Sequence, residues 1–184
     1  INFGWIENSA HLEDFKPIIS DCIGGSQKAQ SMLYHQFAPK MFGVCLRYAK
    51  DATEAEDNMQ EGFINVFTKL KTFRHDVSFE GWIRRIMINV SLEKIRKQHL
   101  LYPVEDVSVY DSVNFSDDIL AKIAADDLMK LIQQLPPRYR MVFNLYVIEG
   151  LSHQEIAQEM SITQGTSKSN LARARDILKK KVHE

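Results

Sequence analysis

Apolar residues recur at intervals of three and four along most of this chain, a periodicity that admits little besides helices. Leu33, Phe37, Met41, Val44, Cys45 and Tyr48 form one such stripe. Met59, Phe63, Phe67 and Leu70 form a second, and Phe79, Trp82, Ile83, Ile86, Met87 and Val90 a third. After His99 the pattern breaks. It resumes at Ile119 and continues through Ile123, Leu128, Leu131, Ile132 and Leu135, until Pro136-Pro137 stops it. Another helix is expected from Arg138 to Ile148, ended by Gly150. Three serine and threonine positions read as N-caps: Ser26 after the Gly24-Gly25 turn, Thr53 with Glu56 as a capping box, and Ser78. No internal repeat and no alternation of strands with helices is present. The expected fold class is all-α, with two small helical domains at 1–99 and 119–184 joined by an acidic linker at 100–118. A short extended segment is the alternative for the linker, whose residues include Pro103 and a brief alternation of valines.

A chain of 184 residues with 45% apolar content suits one or two such domains. No run of about 18 uncharged apolar residues occurs, so no membrane span is expected. The segment Ile1 to Ala10 carries Glu7 and lacks a basic start with an apolar core, so no secretory signal is expected there and a cytoplasmic location is. Cys22 and Cys45 form no CxxC pair and read as small core residues in a reducing compartment. Gly24-Gly25 is not followed by a phosphate loop, and the six histidines form no HExxH spacing. The expectation is therefore no catalytic residue, no metal and no cofactor.

The net charge of −1 conceals an uneven distribution. Between Lys69 and His99, Lys69, Lys71, Arg74, Arg84, Arg85, Lys94, Arg96 and Lys97 face only Asp76, Glu80 and Glu93. From Lys168 onward bases again predominate, whereas Leu100 to Met129 holds seven acids and only Lys122. Two basic segments separated by an acidic one read as two nucleic-acid footprints on one chain. Either segment taken singly also fits a helix face that is merely solvated.

The segment from Leu151 to about Leu178 is the most informative. Ser152 and Glu155 form a capping box. Ile156, Ala157 and Met160 face inward, and Ser161-Ile162-Thr163 makes a short turn with Ile162 as its buried plug. The next helix runs from Gln164 or Gly165 to about Lys181, with Leu171, Ala174 and Leu178 inward and Lys168, Ser169, Asn170, Arg173 and Lys180 outward. This is the pattern of a helix-turn-helix whose second helix enters the DNA major groove. An ordinary helical hairpin with a basic face would need the cap, the small Ala157, the three-residue turn and the basic second helix to coincide by chance.

These residues resemble a known family. Leu135-Pro136-Pro137-Arg138-Tyr139-Arg140, Gly150-Leu151-Ser152-His153-Gln154-Glu155-Ile156-Ala157, Gly165-Thr166-Ser167-Lys168-Ser169 and Arg173-Ala174-Arg175 resemble region 4 of bacterial extracytoplasmic-function sigma factors. Ala55-Glu56-Asp57, Gln60-Glu61, Phe63, Phe73-Arg74, Phe79, Trp82-Ile83, Ile86, Asn89 and Arg96 resemble region 2. The resemblance spans about residues 20 to 183. It implies a protein that is not an enzyme, but joins core RNA polymerase and directs it to particular promoters.

The resemblance also implies a division of labour. Asp57, Gln60 and Glu61 would dock on the coiled-coil of the polymerase β′ subunit, where an acidic, amide-bearing face suits Arg-rich helices. Phe73, Arg74, Ser78, Arg85, Asn89, Arg96 and Lys97 would hold and read the −10 element, with the residues of the loop His75 to Ser78 on base edges. Phe79 and Trp82 share a stripe with Ile83 and Ile86, which assigns them to the core, while Phe73 is open between core and base stacking. Thr166, Lys168, Ser169, Asn170, Arg173 and Arg175 would meet the −35 element. The sequence departs from the family pattern at Ser161, Ser167, Asn170 and Ala172. The family also implies an anti-sigma factor as partner. Without the resemblance, the residues leave open a free-standing helix-turn-helix regulator acting as a dimer, or a helical interaction protein.

Overall fold

The computed structural model describes residues 10–74, 78–101 and 125–182, and among them all regular structure is helical. The order is α1 (Ala10–Ile23), α2 (Gln27–Tyr48), α3 (Ala52–Lys69), α4 (Phe79–Leu101), α5 (Ala125–Gln133), α6 (Pro137–Phe143), α7 (His153–Met160) and α8 (Gln164–Val182), with a 3-10 turn at Leu70–Thr72 and a π-helical turn at Asn144–Ile148. Helix α4 extends to Leu101, and residues 102–124, with most of the expected linker and the start of the Ile119 stripe, lie outside the described residues. The chain divides into two compact units, Ile1–Leu46 with Ala52–Ser91, and Arg47–Asp51 with Leu92–Glu184.

In the first unit the helix starts are written in single residues. Gly25, at φ +86°, makes the turn before α2, and Ser26 Oγ accepts from Ala29 N–H at 3.3 Å. Ser78 Oγ accepts from Gly81 N–H at 3.0 Å and caps α4. The expected cap at Thr53 is corrected. Helix α3 begins at Ala52, so Thr53 lies inside its first turn, with Asp51 directly before the helix. The three apolar stripes converge on one core in which Leu33, Met41, Cys45, Val66, Ile83 and Met87 are almost wholly buried. The end of the Met87 side chain on α4 lies against Gly62 of α3, where an added Cβ would stand 2.1 Å from Met87 Sδ. Asn58 and Ser91 bond to each other in the same buried layer, Nδ2 to Oγ at 3.4 Å.

The second unit is organised by Pro136 and Pro137. Pro137 occupies the first position of α6, where a missing N–H costs nothing. Arg140, on α6, is buried. Its Nη2 donates to Leu135 O at 2.9 Å and its Nη1 to Tyr48 O at 3.2 Å. The single helix expected from Arg138 to Ile148 is instead α-helical only to Phe143, and then widens by one residue per turn. Glu149 N–H bonds Asn144 O, five residues back, at 3.0 Å. Asn144 is fully buried, and its Nδ2 donates to Arg47 O at 2.7 Å. Gly150, at φ +73°, then turns the chain toward α7.

Candidate nucleic-acid interface

Helices α7 and α8 form the helix-turn-helix. Ser152 Oγ accepts from Glu155 N–H at 3.3 Å, while the Glu155 carboxylate accepts from Ser152 N–H at 2.8 Å and Ser152 O–H at 2.7 Å. These bonds hold the Glu155 carboxyl below the ordinary carboxylate range. The turn residue Ser161 is left-handed at φ 55°, a conformation that usually falls to glycine. Ile162, expected as a buried plug, is half-buried, and its N–H bonds Ala157 O at 3.0 Å. Thr163 Oγ1 caps α8 by accepting from Thr166 N–H at 3.0 Å. Leu171, Ala174 and Leu178 are buried as expected, with Ile156 and Met160 from α7.

On α8, Lys168 is exposed, and Thr166, Ser169, Arg173 and Arg175 are half-buried. Thr166, Ser169 and Arg173 follow at spacings of three and four along one flank. Lys168 and Arg175 lie two turns apart on another. Ser169 O–H donates to Thr166 O at 3.1 Å, and Arg173 Nη1 donates to the Tyr139 hydroxyl at 3.2 Å. The Arg175 guanidinium lies 5.8 Å from the centre of the Tyr146 ring. Asn170 requires a correction. It is only 4% exposed, on the inward side with Leu171 and Ala174, so it does not stand on the outer face. Its Nδ2 finds no hydrogen-bond partner among the described residues.

Ser167, which departs from an apolar pattern, has a physical reason to be polar. It is fully buried, and its Oγ lies 2.9 Å from His153 Nδ1. The His153 ring stacks on Tyr146, with centroids 4.7 Å apart and planes at 23°. Burial, then Lys168 and Arg175, lower the His153 pKa. A contact between residues 14 apart leaves no mark in periodicity, and sequence reasoning missed it.

In the first unit, Asp57, Gln60 and Glu61 are exposed on α3, opposite the buried Asn58 and Met59. The same outward stripe carries Ile64, which is 66% exposed. Sequence reasoning passed over Ile64 because it falls outside the core stripe.

Of the seven residues expected at the −10 element, Phe73 is corrected. It is buried, and its ring lies 5.0 Å from Phe79 and 5.2 Å from Trp82, so it belongs to an aromatic cluster with Phe37 and cannot offer a free stacking face. Ser78 is exposed, but its hydroxyl caps α4. Arg74, Arg85 and Asn89 are exposed, and His75 to Val77 lie outside the described residues. Arg96 and Lys97 belong to the second unit. Lys97 Nζ pairs with Glu93 at 2.9 Å, and Arg96 Nη2 donates to Glu159 O and lies 3.8 Å from its carboxylate. Among the described residues, no cluster of three or more His, Cys, Asp or Glu could hold a metal, and no helix is long and apolar enough to cross a membrane.

Comparison with known proteins gives two family matches in chain order. The family described as Sigma-70 region 2 matches residues 33–100, and the one described as Sigma-70, region 4 matches residues 125–178. The chain is 32% identical over 168 residues to the RNA polymerase sigma-H factor of Pseudomonas aeruginosa, covering 85% of this chain and 87% of that one. It is 28% identical over 172 residues to the ECF RNA polymerase sigma factor SigW of Bacillus subtilis, covering 87% and 92%. It is 31% identical over 170 residues to the ECF RNA polymerase sigma-E factor of Escherichia coli, covering 86% and 88%.

Proposed function

Since the chain belongs to the extracytoplasmic-function sigma factors of the sigma-70 family, we infer that it is an RNA polymerase sigma factor, which binds core polymerase and directs initiation at particular promoters. The observation that carries this is the presence of both regions, in order, on one chain whose second unit builds a capped helix-turn-helix. It acts by binding and positioning rather than by bond chemistry, and it works where polymerase and DNA are, in the cytoplasm. An anti-sigma factor as partner follows from the same family reading.

Residue roles divide between the two regions. The α3 stripe of Asp57, Gln60, Glu61 and Ile64 docks on polymerase, with the carboxylates and amide bonding basic side chains around an apolar centre. Arg74, Arg85 and Asn89 of the first unit hold the −10 strand, the arginines by attraction to phosphate and Asn89 by bonding a base edge. Lys168, Ser169 and Arg173 meet the −35 element in the major groove, with Thr166 and Arg175 near the backbone.

The test is transcription with purified core polymerase and a promoter library, followed by sequencing of run-off transcripts. Initiation at defined sites only when the chain is added is the expected result. Tight sequence-specific DNA binding without polymerase, and no gain in transcription with it, would sink the reading.

A further inference from the structure

We propose that His153 is a positioning residue for promoter reading, holding the recognition helix α8 in rotation and register through Ser167 and Tyr146. This rests on the reading of α8 as the −35 helix. Ser167 lies in the first turns of α8, directly before Lys168 and Ser169. Its buried hydroxyl lies 2.9 Å from His153 Nδ1, at the first position of α7. The His153 ring is in turn laid against Tyr146 of the π-helical turn, and Arg175 of α8 lies over that same tyrosine at 5.8 Å. The path from Ser167 through His153 and Tyr146 to Arg175 thus begins and ends on α8, two turns apart. Two points on one helix, tied to two different segments, set both its slide and its roll. An apolar residue at 167 would fill the space but would carry no direction, whereas a hydrogen bond fixes an angle.

The electrostatics show which form of the ring does this. Burial opposes a charged imidazole, and so do Lys168 and Arg175 on α8. Tyr146 is the titratable group in contact from the π-helical turn, and the nearby Glu155 carboxylate on α7 is held by Ser152. The neutral ring can accept the Ser167 proton at Nδ1. A protonated ring donates there to the Ser167 oxygen instead, but brings a third positive charge beside the first two. The neutral ring is therefore the favoured form, and protonation below the ordinary histidine range would set the ring against Lys168 and Arg175 and strain the contact.

The experiment uses holoenzyme, assembled from core polymerase and the full chain, on a promoter selected from a random library. It reads the ratio of affinity for that promoter to affinity for the same DNA with a scrambled −35 element, because a ratio cancels sequence-independent attraction to phosphate. Ser167→Ala and His153→Phe should each lower the ratio about 3- to 10-fold, the scale of one hydrogen bond, and their combination should go little further. His153→Asn, which keeps a polar atom near the Nδ1 position, should retain most of it. The wild-type ratio should hold through the range of an ordinary histidine and fall only below it, because the His153 pKa is lowered, and that of His153→Phe should stay flat. Unchanged ratios in both Ser167→Ala and His153→Phe would overturn the positioning role alone. A wild-type holoenzyme that ignores the −35 element altogether would overturn the reading of α8 itself, and this inference with it.

Discussion

Arg173 Nη1 donates to the Tyr139 hydroxyl at 3.2 Å, so the guanidinium proposed to read promoter bases from α8 is steadied by a side chain of α6. A long side chain aimed before it binds loses less entropy on binding. Tyr139→Phe should therefore weaken −35 affinity by about 1 kcal/mol, near the worth of one hydrogen bond. Arg173→Ala should cost more, and Tyr139→Phe should add nothing on top of it. Titration of −35 DNA against the four proteins checks this, and additive losses would refute the coupling.

The two regions should fail separately. Asp57→Ala should weaken binding to core polymerase and leave −35 contacts intact, whereas Arg173→Ala should do the reverse. Ile64→Asp should behave like Asp57→Ala, because a charge at the apolar centre of the α3 stripe opposes burial. Core-binding titrations alongside DNA binding by the second region provide the comparison. Loss of core binding in the Arg173 variant would contradict the division.

The capping box should show in stability. Ser152→Ala removes an N-cap and should cost about 1 kcal/mol. The hydrogen bonds from Ser152 lower the Glu155 pKa, so their contribution is present above the ordinary carboxylate value of 4.5 and is lost as pH falls through the depressed one. Melting curves of wild type and Ser152→Ala should accordingly draw closer on acidification without meeting, because the bond from Glu155 N–H to Ser152 Oγ does not titrate.

Asn170 should tolerate apolar replacement. Its buried Nδ2 has no bond among the described residues, and removing an unsatisfied buried donor is neutral or stabilising. Asn170→Leu should melt no lower than wild type and keep the same −35 preference. A changed preference would mean that the side chain turns outward on DNA.

At Gly62, an added methyl group meets Met87, which is itself fully buried. Gly62→Ala should destabilise the first unit by about 1–3 kcal/mol through overpacking, outweighing the roughly 1 kcal/mol that alanine gains in helix propensity. Shortening the neighbour in Met87→Ala should abolish the added cost. Equal effects of Gly62→Ala in both backgrounds would refute the clash.

Local signals account for what was legible in the sequence. Ser26, Ser78 and Ser152 cap helices because a hydroxyl at that place answers an N–H three residues on, and the core stripes follow from helical period alone. What was not legible depends on partners far along the chain. Helical period alone leaves Phe73 unassigned, and contact with Phe79 and Trp82 is what places it inside. Asn170 looks like a surface residue by type, but its angle around α8 puts it beside Leu171 and Ala174. The π-helical turn at Asn144–Ile148 accompanies a buried Asn144 whose amide bonds Arg47 O, 97 residues away, and no local pattern announces it. Ile64 escaped notice for the opposite reason: an apolar residue is expected inside, and only its 66% exposure marks it.

The missing side chain at Gly62 also has a mechanical meaning. Met87 packs into its place, between α3, whose outward stripe is proposed to meet polymerase, and α4, whose Arg85 and Asn89 are proposed to meet the −10 strand. If both faces are engaged as proposed, this contact within the first unit would help carry the position of the polymerase onto the DNA. A wider gap at this contact would leave each face intact yet put them out of registration, and the fault would be read as a displaced start site before it was read as weaker binding.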